Sequence, residues 1–242
     1  MAGKLNRPFA VFDIDGTVIR WQLYHAISDA LAQKGAINKQ SFEYVRAARM
    51  DWKRRSGAES FHEYEQALVR VFEAALKGLS VRDLSVAADE VFDEYKDQVY
   101  TYTRDLIRTL KAKHYLLFAI SGSPDIIVQK LANYYGFDDF AASSYAIRDS
   151  HFTGAIDLSI GKKAALLKGL IDKHHASISG SIAVADAEGD IDMLNMVERP
   201  IVFNPSKQLI NYAAKNHWPI VVERKNVIYK LAYVNGEYRL TL

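Results

Sequence analysis

The residues with the means to do chemistry fall in a few short segments. The first is Asp13-Ile14-Asp15-Gly16-Thr17. Aspartates at i and i+2 of an extended chain project to the same side, so their carboxylates converge where a strand gives out. Two such charges repel, and the pairing becomes favourable when a cation or a shared proton compensates. The plainer reading is a turn whose aspartates accept from backbone N–H groups. Asp186-Ala187-Glu188-Gly189-Asp190 again sets acid after an apolar run, although Asp190 could equally cap a following helix. Ser121-Gly122-Ser123-Pro124 offers a hydroxyl and N–H groups to an anion, or is a simple capped helix start. Gly161-Lys162-Lys163 also precedes a helix-like stretch, where either lysine could balance anionic charge or lie on the surface.

These segments gain weight from the elements that must position them. Phe9–Phe12, Tyr115–Ile120, Ser181–Ala185, Pro200–Phe203 and Pro219–Val222 are short apolar runs that read as buried parallel strands. Between them, Pro124–Tyr135, Lys162–His174, Asp190–Val197 and Lys207–Asn216 carry helical patterning. Alternation of this kind predicts an α/β fold, a doubly wound and mostly parallel sheet of Rossmann-like type. In such sheets ligands bind beyond the carboxyl ends of the strands, where Asp13, Ser121 and Asp186 emerge.

Residues 21–110 break the rhythm, with helical spacing over 22–34, 40–54, 60–76 and 81–110 and no convincing strand. This predicts a helical domain at 21–110 inserted after the first strand of a core formed by 1–20 and 111–242. Asp149–Leu158 suggests a short hairpin around Gly154. Asn235-Gly236, between alternating segments of Val227–Leu242, predicts a closing β-ribbon.

Bulk properties exclude several classes. The chain has 242 residues, enough for a sizeable core, and its 49% hydrophobic and 25% charged content is that of a globular protein. With 31 basic against 29 acidic residues, the net charge of +2 generates no field that would draw nucleic acid or an anionic membrane. There is no cysteine, so a bound metal would be held by oxygen or imidazole, which favours a hard cation. His174-His175 ends a predicted helix, where histidine meets the dipole, and is not assigned a ligand role. The apolar run Phe9–Phe12 is too short for a signal peptide, and no segment approaches a membrane span, so a cytoplasmic location is expected.

With these residues in view, the sequence resembles the haloacid dehalogenase superfamily, and within it the phosphoserine-phosphatase-like branch. Asp13-Ile-Asp-Gly-Thr17 is similar to the family's first motif, DxDGT; Ser121-Gly122 is similar to the second; Gly161-Lys162 after Phe152-Thr-Gly154 resembles the third; and Asp186 and Asp190 before Met193-Leu194 resemble the acidic fourth. The insert sits where the family carries a helical cap. The resemblance implies Mg²⁺-dependent hydrolysis of a small-molecule phosphomonoester through an aspartyl phosphate. Asp13 would be the nucleophile and Asp15 the acid and base. Mg²⁺ would be held by Asp13, the main-chain carbonyl of Asp15, and Asp186, with Asp190 supporting. Ser121, Gly122 and Lys162 would hold the phosphate.

Three positions depart from the phosphoserine phosphatases: Gln22 stands nine residues after the nucleophile in place of a glutamate, Gly189 in place of an asparagine, and Ala185 in place of a glycine. A neutral amide at Gln22 hydrogen-bonds but supplies no charge to a substrate amine, a difference on the order of 1–2 kcal/mol. The resemblance thus implies phosphate chemistry without implying phosphoserine as substrate. Arg46 and Arg70 are candidates for a cap arginine, and Trp21, Tyr24, Phe42 and Trp52 are read as cap core. A phosphotransferase or mutase on the same intermediate, and a non-catalytic phosphate-binding protein, are the competing readings.

Overall fold

A computed structural model describes residues 6–57 and 59–241. The first five residues, Ala58 and Leu242 lie outside this description, and with them the extreme N-terminus and the last residue of the expected ribbon. Strand β1 (Pro8–Asp13) opens the chain. Helices α1 (Leu23–Gln33), α2 (Lys39–Arg54), α3 (Ser60–Leu76), α4 (Val81–Tyr95) and α5 (Thr101–Ala112) follow. Then come β2 (Leu116–Pro124), α6 (Asp125–Tyr135), the hairpin of β3 (Asp139–Arg148) and β4 (His151–Asp157), and α7 (Lys163–His174). Strand β5 (Ser177–Ala185), α8 (Ile191–Leu194), β6 (Arg199–Phe203), α9 (Lys207–Lys215), β7 (Ile220–Arg224), β8 (Val227–Val234) and β9 (Glu237–Thr241) complete it.

The chain divides into two compact units. One comprises Met1–Gln22, Tyr95–Ser143 and Leu158–Leu242, and the other Leu23–Glu94 with Ser144–Asp157. In the first unit the strands run in the order β3-β2-β1-β5-β6-β7-β8-β9. Pairing is parallel from β3 through β7, and β8 and β9 add antiparallel strands at the edge. This is the doubly wound, mostly parallel α/β sheet that the alternating apolar runs predict. Its strands read as continuous apolar runs because helices cover them. Phe9, Val11, Phe118, Ile120, Leu167, Met193, Leu194 and Val202 share one buried cluster, each large side chain contributing about 1.5–3 kcal/mol on leaving water.

The register sets the strand ends. Asp13 pairs opposite Ile120, and Phe12 opposite Ala119 and Val184. Asp13, Ser121 and Asp186 therefore leave adjacent strands at the same edge. Among the described residues, no helix is long and apolar enough to cross a membrane.

The boundaries differ from the expected 21–110 insert at two places. The predicted helix over 81–110 breaks at 96–100, where Val99 bridges Ile19 and Arg20 N–H donates to the Gln98 carbonyl at 2.8 Å. The Thr103 hydroxyl then donates to the Thr17 carbonyl at 2.9 Å, so α5 groups with the sheet. The hairpin is also longer than expected, and its turn is Asp149-Ser150, not Gly154: both turn residues take positive φ, 49° and 62°, with Arg148 paired to His151. Its distal part joins the helical unit through Gly78 N–H to Phe152 O at 2.9 Å, Phe152 N–H to Leu79 O at 3.0 Å and Val81 N–H to Ser150 O at 2.9 Å. Asn235-Gly236 forms the terminal turn, with φ 52° and 90° and Val234 paired to Glu237, as its residues require.

Inside the helical unit, Arg49 makes two bonds to Asp29, at 2.8 and 2.6 Å, and donates from Nε to the Tyr64 hydroxyl at 2.9 Å. Trp52 stacks on Tyr64, and the His25 ring stands edge-on to both. Tyr24 and Tyr145 hydroxyls lie 3.1 Å apart. Arg46 and Arg70 are exposed, and Arg49 is the arginine drawn inward. In the core unit, His174 ends α7 as expected, and its ring also meets Asp139 Oδ2 at 2.6 Å.

Candidate active site

The β1 strand ends at Asp13 and the chain turns sharply. The Ile14 carbonyl accepts from the N–H groups of Val18 and Ile19, both at 2.9 Å, while Gly16 N–H donates to the Ile19 carbonyl at 3.0 Å. Gly16 has φ +83°, and a Cβ there would lie 2.3 Å from Asp186 Oδ2. Only glycine lets the turn fold under that carboxylate.

Asp13, Asp186 and Asp190 each bring one carboxylate oxygen within 4.8 Å of the others. Asp13 is 3% and Asp190 1% exposed. Lys163 Nζ donates to Asp13 Oδ1 at 2.7 Å and also to Asp190 Oδ1. The Thr17 hydroxyl donates to Asp186 Oδ1 at 3.4 Å, and the Asp186 carbonyl accepts from Ser206 N–H at 2.8 Å. Three carboxylates around the Lys163 ammonium leave an excess of negative charge, and the titration of the group reflects it. Burial raises the Asp13 carboxyl above its ordinary range, with Lys163 pulling the other way. Burial, then the charges of Asp13 and Asp190, push Asp186 well above that range. Burial carries Asp190 up to about 6 against the pull of Lys163. For Lys163, burial disfavours the ammonium, but the Asp13 and Asp190 carboxylates outweigh it and raise the group. An all-oxygen, largely buried, over-negative donor set of this kind fits a hard divalent cation such as Mg²⁺.

Asp15 faces the end of β2. Its Oδ2 accepts from the Ser121 hydroxyl at 2.6 Å and from the Ser123 hydroxyl at 2.9 Å. Ser123 N–H donates back to Ser121 Oγ at 2.9 Å. Behind them, Ser159 Oγ donates to the Ser121 carbonyl at 2.5 Å and Ser143 Oγ to the Gly122 carbonyl at 2.8 Å. These bonds fix the backbone of the Ser121-Gly122-Ser123 segment from below.

The expected residues are thus distributed as follows. Asp13, Asp186 and Asp190 gather around one point, and Asp15 meets Ser121 beside Gly122. Lys162 is exposed at the N-cap of α7, and Lys163, the first residue of that helix, is the lysine that bonds Asp13 and Asp190. A lysine doublet carries no helix phase in sequence, so the offset of one residue is invisible there. Ser123, Ser143 and Ser159 were not among the expected site residues. Only Ser123 carried a signal, since residues i and i+2 of a strand share a face.

The sequence pattern of haloacid dehalogenase-like hydrolases matches residues 10–195, which include Asp13 through Asp190. The chain belongs to the haloacid dehalogenase-like hydrolase family. Among relatives of this hydrolase, the "inhibition of morphological differentiation protein" of Streptomyces azureus is 26% identical over 223 residues, covering 90% of this chain and 79% of that protein. A phosphoserine phosphatase of Lactococcus lactis is 26% identical over 230 residues, 93% of this chain and 94% of that one. Of solved structures, a Bordetella pertussis protein of unknown function superposes with a TM-score of 0.72 at 21% identity, covering 89% of this hydrolase and 98% of its own chain. That likeness establishes the shared fold.

Proposed function

We propose that this hydrolase is a Mg²⁺-dependent phosphatase of a small phosphorylated metabolite, with Asp13 as the nucleophile. The observation that carries the reading is the gathering of Asp13, Asp186 and Asp190 within 4.8 Å beside Lys163. A carboxylate repels an approaching phosphate dianion, and attack becomes feasible where Lys163 and a cation held by the three carboxylates would together offset that charge.

In the first step one oxygen of Asp13 bonds to phosphorus as the bond from phosphorus to the leaving oxygen breaks. Asp15 gives that oxygen its proton. In the second, water attacks the aspartyl phosphate, its proton passes to Asp15, and the carboxylate of Asp13 is released. Lys163, the Ser121 hydroxyl and the Gly122 N–H hold non-bridging oxygens as charge develops. Asp13, Asp186 and the Asp15 main-chain carbonyl would hold Mg²⁺, with Asp190 orienting Lys163 and supporting the shell. When bound, the ion neutralises phosphate charge and orients the phosphoryl group.

Gln22 presents a neutral amide, so the reading favours a phosphorylated metabolite whose binding does not depend on pairing an ammonium at that position. Relatives that include a phosphoserine phosphatase support the phosphate chemistry, and phosphoserine itself is one member of the panel to try. The test is release of p-nitrophenol from p-nitrophenyl phosphate with Mg²⁺ by the wild type and by Asp13→Asn. The reading predicts Mg²⁺-dependent turnover reduced by on the order of a thousandfold or more in the variant. Undiminished turnover by Asp13→Asn would remove the nucleophile from the proposal.

A further inference from the structure

Two hydroxyls converge on a single oxygen of Asp15, and only one has another duty. Ser121 Oγ and Ser123 Oγ donate to Asp15 Oδ2 at 2.6 and 2.9 Å, and Ser123 is 2% exposed. A serine hydroxyl carries one proton. If Ser121 gives its proton to a phosphate oxygen, as the phosphatase reading requires, it cannot at the same moment give it to Asp15.

From this we infer that Ser123 is a positioning residue, whose hydroxyl keeps hold of Asp15 Oδ2 while the Ser121 hydroxyl turns to the phosphate. The inference rests on the phosphatase reading and adds to it a residue that holds the acid and base in place. Several features suit Ser123 to the task. It lies two residues beyond Ser121 on the same face of β2, so both reach Asp15 without a change of backbone. Its N–H donates to Ser121 Oγ at 2.9 Å, which leaves that hydroxyl free to rotate its proton between acceptors while its oxygen stays anchored. The carbonyls of Ser121 and Gly122 are held by Ser159 and Ser143, so the strand end is stiff where Ser123 must be placed accurately.

The chemical consequence follows from which oxygen is held. With a donor fixed on Oδ2, the proton that Asp15 delivers is directed to Oδ1. In the first step it leaves Oδ1 for the leaving oxygen as the bond from that oxygen to phosphorus breaks. In the second, Oδ1 takes a proton from the water that forms the new bond to phosphorus. The bond between Asp13 and phosphorus then breaks, and Asp15 is again protonated for the next cycle. Loss of Ser123 leaves Asp15 without its second anchor at the moment Ser121 is engaged elsewhere.

The experiment compares kcat/KM of wild type, Ser123→Ala and Ser123→Thr on two substrates with Mg²⁺ present. p-Nitrophenyl phosphate has a leaving group stable without a proton, whereas phosphoethanolamine leaves as an alkoxide that needs one. The inference predicts that Ser123→Ala lowers kcat/KM for phosphoethanolamine by about tenfold more than for p-nitrophenyl phosphate, since general acid help matters only for the former. KM is expected to stay within about threefold, and Ser123→Thr, which keeps the hydroxyl, to restore most of the loss, as a single hydrogen bond to a charged group is worth roughly that factor. Equal losses on both substrates, or no loss on either, would overturn the inference while the phosphatase reading stands. A wild-type protein that hydrolyses neither substrate removes both.

Discussion

Lys163 Nζ lies 2.7 Å from Asp13 Oδ1 and also bonds Asp190, so one buried ammonium ties the end of β1 to the segment after β5. The same cation can steady the nucleophile and meet an incoming anion. Its neighbour Lys162 is exposed one residue earlier.

That contrast sets the first prediction. Lys163→Ala removes the ammonium that bonds Asp13 and Asp190 and leaves their buried charge without it. It should lower kcat/KM on p-nitrophenyl phosphate by on the order of 10²–10³-fold and cost about 3–5 kcal/mol of stability. Lys162→Ala should change either quantity little. Steady-state kinetics and denaturant unfolding of the two variants, measured side by side, check this.

Gly16 gives a second. A methyl group there would press on Asp186 Oδ2 at 2.3 Å in a backbone region that L residues seldom adopt, φ +83°. Gly16→Ala should cost about 1–3 kcal/mol of stability and displace Asp186. The Mg²⁺ concentration for half-maximal activity should rise by about tenfold or more, read from an activation curve, while far-ultraviolet circular dichroism stays unchanged.

How far these residues are legible in sequence varies with physical cause. Asp13 and Asp186 stand out because each follows a buried apolar run, with Asp15 and Asp190 close behind them, and parallel strands must deliver their ends to one edge. The sheet itself is legible for the same reason. Strand β3 is not, since Asp139-Phe-Ala-Ala-Ser-Ser-Tyr-Ala-Ile-Arg148 is rich in alanine and serine and poor in the β-branched residues that mark strands. The inward lysine depends on where α7 begins, and helix phase cannot be read from a doublet. Ser143 and Ser159 support Ser121 and Gly122 from segments that only tertiary structure brings near.

Mg²⁺ should stabilise the folded chain as well as activate it. With three carboxylates gathered in the native state and dispersed in the unfolded one, saturating Mg²⁺ at about 100 times its dissociation constant should add about 2.7 kcal/mol. Thermal unfolding with Mg²⁺ and with a chelator reads this difference directly. In Asp186→Asn it should shrink sharply.

His25 predicts an acid-labile helical unit. Burial, then the charges of Arg49 and Lys53, lower its pKa to about 3, against 6.5 for the free side chain. A histidine held neutral in the fold and protonated on unfolding contributes stability that is present above about pH 6.5 and lost as pH falls towards 3. Between pH 7 and 5 the loss from this group is about 2 kcal/mol. Urea unfolding of wild type and His25→Gln at both pH values should show a wild-type decline steeper by roughly that amount.

The central claim is that phosphate passes through Asp13. The most direct measurement is rapid acid quenching of the enzyme with a ³²P-labelled phosphomonoester and Mg²⁺, followed by peptide mapping of the bound label. The account predicts a transient, acid-stable phosphate on the peptide that carries Asp13, absent in Asp13→Asn. Turnover with no label on that peptide, or label on another residue, would contradict it.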